Sequence, residues 1–108
     1  MSYDIGYWSS TELPAVQAFE LAVDGDSGDF DPASAVLDFR AELLAVWEDL
    51  DDVIQPFEAD PEFDQDDLAK YVVLALPFGW TDRVERINQL ATKHGLIGYD
   101  PQLEREII

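Results

Sequence analysis

The sequence contains no cysteine, and this absence removes several classes of site at once. Without thiols there is no disulfide framework, no thiolate metal centre and no cysteine nucleophile. Histidine is nearly as scarce, because His94 is the only one in 108 residues. One histidine without cysteine does not make a conventional zinc site or a thiol-protease pair. The absence of cysteine is compatible with either redox compartment.

Basic residues are also few: six Lys and Arg stand against 24 Asp and Glu, for a net charge of −18. They are unevenly placed, since residues 1–67 hold 19 acids and the single base Arg40, whereas residues 68–108 hold five of each. Such a charge repels DNA, RNA and anionic membranes. We therefore expect no nucleic-acid partner and no membrane partner, and a basic protein if the chain has a protein partner.

Long hydrophobic runs are absent as well. No stretch approaches the ~20 apolar residues of a membrane span, and the first residues show neither the basic nor the apolar region of a secretion signal. The sequence therefore predicts a cytoplasmic protein. Its length fits a single domain over residues 1–108, and its 47% apolar and 28% charged residues are typical of a folded globule.

Motifs for nucleophilic, nucleotide or metal chemistry are missing too. There is no Gly-x-Ser-x-Gly elbow and no glycine-rich phosphate loop. The segment from Asp24 onward starts like a calcium loop, but its fifth, sixth and twelfth positions are Gly28, Asp29 and Ala35, which do not fit. We predict no cofactor, no metal and no catalytic residues. An enzyme using a carboxylate pair is an alternative that would need a pocket holding an acid of raised pKa.

Hydrophobic periodicity indicates three strands and three helices. The order β-α-α-β-α-β predicts an α+β fold, a two-layer sandwich with a small mixed sheet of about three strands and helices on one face. The N-terminal strand is expected beside the later two, in an arrangement related to the ferredoxin-like fold. The predicted strands are 3–8, 71–76 (expected to be central) and 96–100. The first predicted helix is 13–23, and the second has Asp31 as N-cap, Pro32 as first residue and an apolar face over 33–50. The third is capped by Thr81 or Asp82, and Gly95 follows its last turn as the left-handed residue.

The densest acidic segment runs from Glu48 to Asp67, with ten carboxylates and no Lys or Arg. Because acids and prolines break the periodicity there, residues 51–67 are predicted to form a long acidic loop. Aromatic rings are unusual in a purely solvating segment, so we interpret it as a contact surface; a solvated loop is the plain alternative. The predicted partner-binding residues are Glu48, Asp49, Asp51, Asp52, Glu58, Asp60, Glu62 and Asp64 for charge, with Trp47, Phe57 and Phe63 as apolar anchors.

The two ends of the chain carry a resemblance. Ser2-Tyr3-Asp4-Ile5 with Tyr7-Trp8, and the closing run from Lys93 to Gln102, resemble a family of small uncharacterised bacterial proteins. Its members start Met-Ser-Tyr-Asp and close on Gly-Leu-x-x-Tyr-Asp-Pro-Gln. In size and acidity such proteins resemble immunity proteins of bacterial toxin systems. The closing motif also has a structural interpretation, in which Gly95 ends a helix and Asp100-Pro101 turns the chain.

The sequence thus predicts a non-enzymatic acidic binding protein, of the immunity type, that covers the cationic site of a cognate toxin such as a nuclease. The alternative is a housekeeping or structural domain of a halophile, acidic for solubility in high salt and without a dedicated basic partner. The scarcity of lysine, with only Lys70 and Lys93, fits that alternative. The sequence carries no prediction of oligomeric state.

Overall fold

Five strands form one open antiparallel sheet in a computed structural model that describes residues 2–9, 11–26, 28, 30–56 and 65–107. The sheet order is β2-β3-β1-β4-β5, so the N-terminal strand is central. The α+β class is therefore confirmed. The strands are β1 (Ser2–Trp8), β2 (Ile54–Gln55), β3 (Tyr71–Pro77), β4 (Ile97–Asp100) and β5 (Arg105–Ile107).

The helices follow the predicted order but begin and end at different residues. The second helix begins at Ser34 with Ala33 as N-cap, not at Pro32. It ends at Val46, because the backbone of Trp47 is extended, and the chain continues as a 3₁₀ helix over Glu48–Asp52. The last helix begins at Val84 with Arg83 as N-cap, not after Thr81 or Asp82, because Phe78–Arg83 form a second 3₁₀ helix. The α-helices are α1 (Ala15–Val23), α2 (Ser34–Val46), α3 (Gln65–Leu68) and α4 (Val84–Lys93).

The sheet has two strands more than predicted, and its described neighbours pair antiparallel, so the predicted mixed sheet of about three strands is wrong. The missed strands β2 and β5 have only two and three residues, too few for an alternating pattern to show. Strand β3, predicted to be central, lies next to the centre. Since β3 and β4 both run antiparallel to β1, which lies between them, β3-α4-β4 is a split β-α-β unit.

Helices cover both faces of the sheet, so the prediction of helices on one face is also wrong. Successive side chains of a strand point to opposite faces, and in β1 Ile5 and Tyr7 join a core under α2 and α4 while Trp8 joins a second core under α1. Strand β3 is divided in the same way, with Leu74 in the first core and Val73 in the second. The result is three layers, with the sheet in the middle.

Regular structure occupies both ends of the predicted acidic loop. Residues 51 and 52 end a 3₁₀ helix, 54 and 55 form β2, and 65–68 form α3, while residues 57–64 lie outside the described residues. Arg40, the single base of residues 1–67, is buried on α2. Its guanidinium donates to the carbonyl oxygens of Pro56 at 2.9 Å and Tyr71 at 3.5 Å. From inside the protein, Arg40 therefore connects Pro56, the residue after β2, with Tyr71 at the start of β3.

The closing motif has a structural role, as its second interpretation predicts. Gly95 adopts φ +74° directly after α4, and the buried carboxylate of Asp100 accepts hydrogen bonds from the Tyr3 hydroxyl and from the Gln102 side chain at 2.8 Å. The Gln102 amide pairs with the backbone of Asp4 in both directions, at 2.9 and 2.7 Å. Beyond the end of β4, the side-chain amide of Gln102 thus makes the two hydrogen bonds to the backbone of β1 that a peptide group would make.

Candidate partner-binding surface

The described part of the predicted binding segment, from Trp47 to Asp52, forms a short surface that we call the acidic ridge. On the 3₁₀ helix after α2, Leu50 is fully buried, which orients the acids around it toward solvent. Trp47 is half-buried and packs against the core under α2. The described predicted residues are Trp47, Glu48, Asp49, Asp51 and Asp52, and all four acids are exposed; Phe57, Glu58, Asp60, Glu62, Phe63 and Asp64 lie outside the described residues.

A ring–cation arrangement lies beside this ridge, and we call it the Trp–Arg cluster: Trp47, Asp49, Trp80 and Arg83. The guanidinium carbon of Arg83 lies 4.2 Å from the ring centroid of Trp80 and 5.6 Å from that of Trp47. Both distances are within the range of a cation–π interaction. Trp80 and Arg83 meet because residues three apart eclipse one another on a 3₁₀ helix.

The carboxylate of Asp49 fixes the guanidinium from the side. Arg83 donates two parallel hydrogen bonds to Asp49, at 2.9 and 3.1 Å, which is the fork geometry that Arg and a carboxylate prefer. These hydrogen bonds lower the pKa of Asp49 below its usual value of 3.8. Asp49 was predicted to offer charge to a partner, and the structure pairs it with a base from 34 residues further along the chain.

Other C-terminal bases also contact acids from the N-terminal two thirds. Lys93 lies 2.9 Å and His94 2.7 Å from the carboxylate of Glu42, which links α4 to α2. The hydrogen bonds from Lys93 and His94 lower the pKa of Glu42. Lys70 lies 3.8 Å from Asp67. The charge asymmetry along the sequence is therefore smaller in space, because Arg83, Lys93 and Lys70 form ion pairs with acids of residues 1–67.

Exposed acids also occur away from the ridge. Exposed carboxylates occur on the ridge, beside α1, on α2, at the start of α4 and on β5. In the described ranges, no group of three His, Asp or Glu side chains is arranged to hold a metal ion. Nor does any described helix have the length and apolar character needed to cross a membrane. The exposed acids include Glu12, Glu20, Asp24, Asp26, Asp31, Asp38, Glu48, Asp51, Asp52, Asp66, Asp82, Glu85, Glu104 and Glu106.

Sequence reasoning missed Trp80 and Arg83 as members of this surface. The available signal was the Trp-x-x-Arg spacing directly after a strand, which places ring and guanidinium on one face of a single helical turn. The pairing with Trp47 and Asp49 had no local signal, because it joins segments more than thirty residues apart. Two large apolar side chains near the tryptophans in sequence are exposed: Val46, which precedes Trp47, and Phe78, two residues before Trp80.

Comparisons of the chain with models of protein families, with curated proteins and with solved structures gave no match.

Proposed function

We propose that this chain is a non-enzymatic binding protein whose acidic ridge and Trp–Arg cluster dock on a basic protein. The observation that carries the proposal is that two tryptophans and an arginine meet at the surface beside three exposed acids, Glu48, Asp51 and Asp52. Tryptophan and arginine are enriched among the residues that dominate binding energy at protein interfaces. In its specific form the proposal is an immunity-type inhibitor, acting in the cytoplasm, that covers the cationic site of a toxin.

The electrostatics support a basic partner. A toxin that binds phosphate presents Lys and Arg, and an acidic surface accelerates its approach through long-range attraction that salt weakens. The cluster supplies preorganisation, because the Asp49 fork and the two rings already hold Arg83 in place. Side chains ordered before binding lose less conformational entropy in the complex.

The test is capture from a lysate of the source organism with three forms of the protein as bait, at low and at high salt. The first is the wild type. The second carries Glu48→Gln, Asp51→Asn and Asp52→Asn. The matched control carries Asp24→Asn, Asp26→Asn and Asp31→Asn, which removes the same charge next to Phe30, under the opposite face of the sheet.

We expect the wild type and the control to retain the same basic protein and to release it at high salt. The ridge variant should retain at least about tenfold less of it, because losing charge contacts that become buried in a complex lowers the affinity by that much or more. Purified partner and bait should then show the same order of affinities. Equal retention by ridge variant and control would contradict the docking surface, and retention of only neutral or acidic proteins would contradict the basic partner.

The second candidate is a halophile's housekeeping or structural domain. It is favoured by the occurrence of exposed acids on several helices and on β5, and by the ion pairs that occupy Arg83 and Lys93. Self-repulsion among such acids destabilises the compact state unless salt screens it. Far-UV circular dichroism decides: a halophilic domain should lose helix signal in dilute buffer and regain it in molar KCl, whereas a partner-binding protein should keep the signal in both.

A further inference from the structure

An open groove of about 590 Å³ lies between α4 and the last strand of the sheet. One wall is a stripe of α4 side chains at helical spacing, which includes Glu85, Asn88 and Thr92. The other wall is β5, Arg105–Ile107. The groove is at the opposite edge of the sheet from the acidic ridge, because the ridge directly precedes β2. It is therefore a separate feature, beyond the docking surface proposed above.

Strand β5 offers backbone hydrogen-bonding groups at this edge. It is the last strand in the sheet order, and among the described strands it pairs only with β4. Alternate residues of an antiparallel strand direct their N–H and C=O groups to opposite sides, so part of the β5 backbone points away from β4. An unpaired strand edge is a template for another extended segment. A strand added here would lie along the groove, since β5 is one of the groove's walls.

The two faces of β5 present different side chains to an added strand. Ile107 is buried in the core under α2 and α4, so Ile107 and Arg105, two residues before it, are on the α4 face of the sheet. Glu106 is on the other face, where Tyr99, its partner in the register, packs against the core under α1. A residue opposite Glu106 would therefore lie on the α1 face, and its two neighbours would lie on the face of the groove.

The exposed acids at this edge are available to a base from outside. Arg105 lies opposite Asp100 in the β4–β5 register, so the protein itself places a carboxylate near the Arg105 charge. Glu85 and Glu106 are exposed, and neither forms an ion pair within the described ranges. A basic side chain opposite Glu106 would make a cross-strand pair of opposite charges. The net charge of −18 adds long-range attraction for a basic segment.

A second copy of this chain fits the edge poorly. Two β5 strands paired antiparallel about a two-fold axis place Glu106 opposite Glu106 of the other copy, or Arg105 opposite Arg105. Like charges directly opposite one another destabilise a pair of strands. A register centred on Ile107 would pair only that one described residue. The edge charges thus disfavour a copy and favour a strand of complementary charge.

We propose that the β5 edge binds an extended basic segment of another protein as an added strand of the sheet. In this segment Lys or Arg alternates with β-branched apolar residues. A basic side chain pairs with Glu106, and the apolar residues on either side of it face the groove, where Ile107 and the α4 stripe lie. Main-chain hydrogen bonds supply the affinity, and the alternating side chains supply the specificity, as in other cases of strand addition.

The test uses synthetic peptides and the full-length protein labelled with ¹⁵N, at about 0.15 M salt, where long-range attraction is largely screened. The basic peptide is Lys-Val-Lys-Val-Lys with blocked ends. The acidic peptide has Glu in place of Lys, and the third is the basic peptide with every backbone amide N-methylated. The basic peptide should shift the amide resonances of Arg105–Ile107 saturably, and more than those of Glu48–Asp52. The other two should bind at least about tenfold more weakly, because one repels Glu106 and the other donates no backbone hydrogen bond.

Reversing one charge supplies an independent arm. Glu106→Lys should lower the affinity for the basic peptide about fivefold. Asp38→Lys makes the same change in charge at an exposed position of α2 and should leave the affinity within about twofold. The ridge variant described above should bind the basic peptide as the wild type does, so that failure of this site and failure of the ridge are seen separately.

Several results would overturn the proposal, and the first two need no variant. One is that the basic peptide leaves the β5 resonances in place, or shifts those of the ridge as much. Another is that the N-methylated or the acidic peptide binds as well as the basic one. A third is that Glu106→Lys and Asp38→Lys weaken binding equally. The last is that concentrating the protein alone shifts the β5 resonances, as pairing with a second copy would.

Discussion

Replacing Asp100 by alanine should destabilise the protein without touching the proposed binding surface. Asp100 is buried at the end of β4, and its two oxygens serve different partners. Oδ1 accepts hydrogen bonds from the Gln102 backbone at 3.0 Å, the Gln102 side chain at 2.8 Å and the Leu103 backbone at 3.3 Å. Oδ2 accepts the hydroxyl of Tyr3 from β1. The carboxylate therefore connects the closing turn with the central strand.

The expected loss follows from which donors can find water. The backbone donors of the turn are near the surface and can be solvated in the variant, so their loss costs little. The Tyr3 hydroxyl and the Gln102 amide lose a charged acceptor, and hydrogen bonds to charged groups contribute about 1.5–3 kcal/mol. We therefore expect Asp100→Ala to lower the free energy of unfolding by about 3 kcal/mol. Asp100→Asn keeps one acceptor oxygen and should lose about 1 kcal/mol.

Urea denaturation followed by circular dichroism measures these losses, and a double-mutant cycle with Tyr3→Phe isolates the contact between the two side chains. Because Tyr3 and Asp100 share a hydrogen bond, their effects should fall short of additivity by about 1 kcal/mol. A loss below about 1 kcal/mol for Asp100→Ala, or strict additivity in the cycle, would refute the reasoning. The turn would then be held by its backbone alone.

Three further predictions concern packing and titration. Gly98→Ala should cost about 3 kcal/mol, because its Cβ would overlap the carbonyl oxygen of Gly6 across the β1–β4 pair, while Gly79→Ala, with open space around it, should cost almost nothing in the same urea titration. Burial and the hydrogen bond to Asp100 raise the pKa of Tyr3 from 10.0 to about 12. The contribution of Tyr3 to the free energy of unfolding is therefore complete below pH 10 and is lost as the pH rises toward 12. Tyr3→Phe should reduce this loss of unfolding free energy at alkaline pH. Hydrogen bonds from Lys93 and His94 lower the pKa of Glu42 from 4.5. The contribution of Glu42 to the free energy of unfolding is therefore present above pH 4.5 and is lost as the pH falls below it. Glu42→Gln should reduce the decrease of the thermal unfolding midpoint at acidic pH.

Several of the longer elements were predictable because their signals are local. Strands β1 and β3 and helices α1 and α4 each bury a regular set of side chains, and that periodicity is written in consecutive residues. The C-terminal end of α4 was predictable for the same reason, since Gly95 supplies the left-handed residue that follows a helix. The start of α2 was mispredicted because Asp31-Pro32 fits a helix start, yet Ala33 is extended.

The candidate site was only partly predictable. The ridge from Trp47 to Asp52 was found from its composition of acids and rings. Its relation to Trp80 and Arg83 was not, because no spacing rule connects two 3₁₀ helices that lie more than thirty residues apart in the chain. A local sequence pattern predicts the chemical character of a segment, but it does not predict which distant segment packs against it.

By itself the sequence determined the net charge of −18, the absence of thiol chemistry, the α+β class and the position of the main strands and helices, because each depends on composition or on neighbouring residues. Tertiary structure alone decided the central place of β1, the covering of both sheet faces, the pairing of Asp49 with Arg83 and the burial of Arg40. Each of these depends on contacts between residues that are distant in the chain, and such contacts stabilise the protein only once the layers have packed.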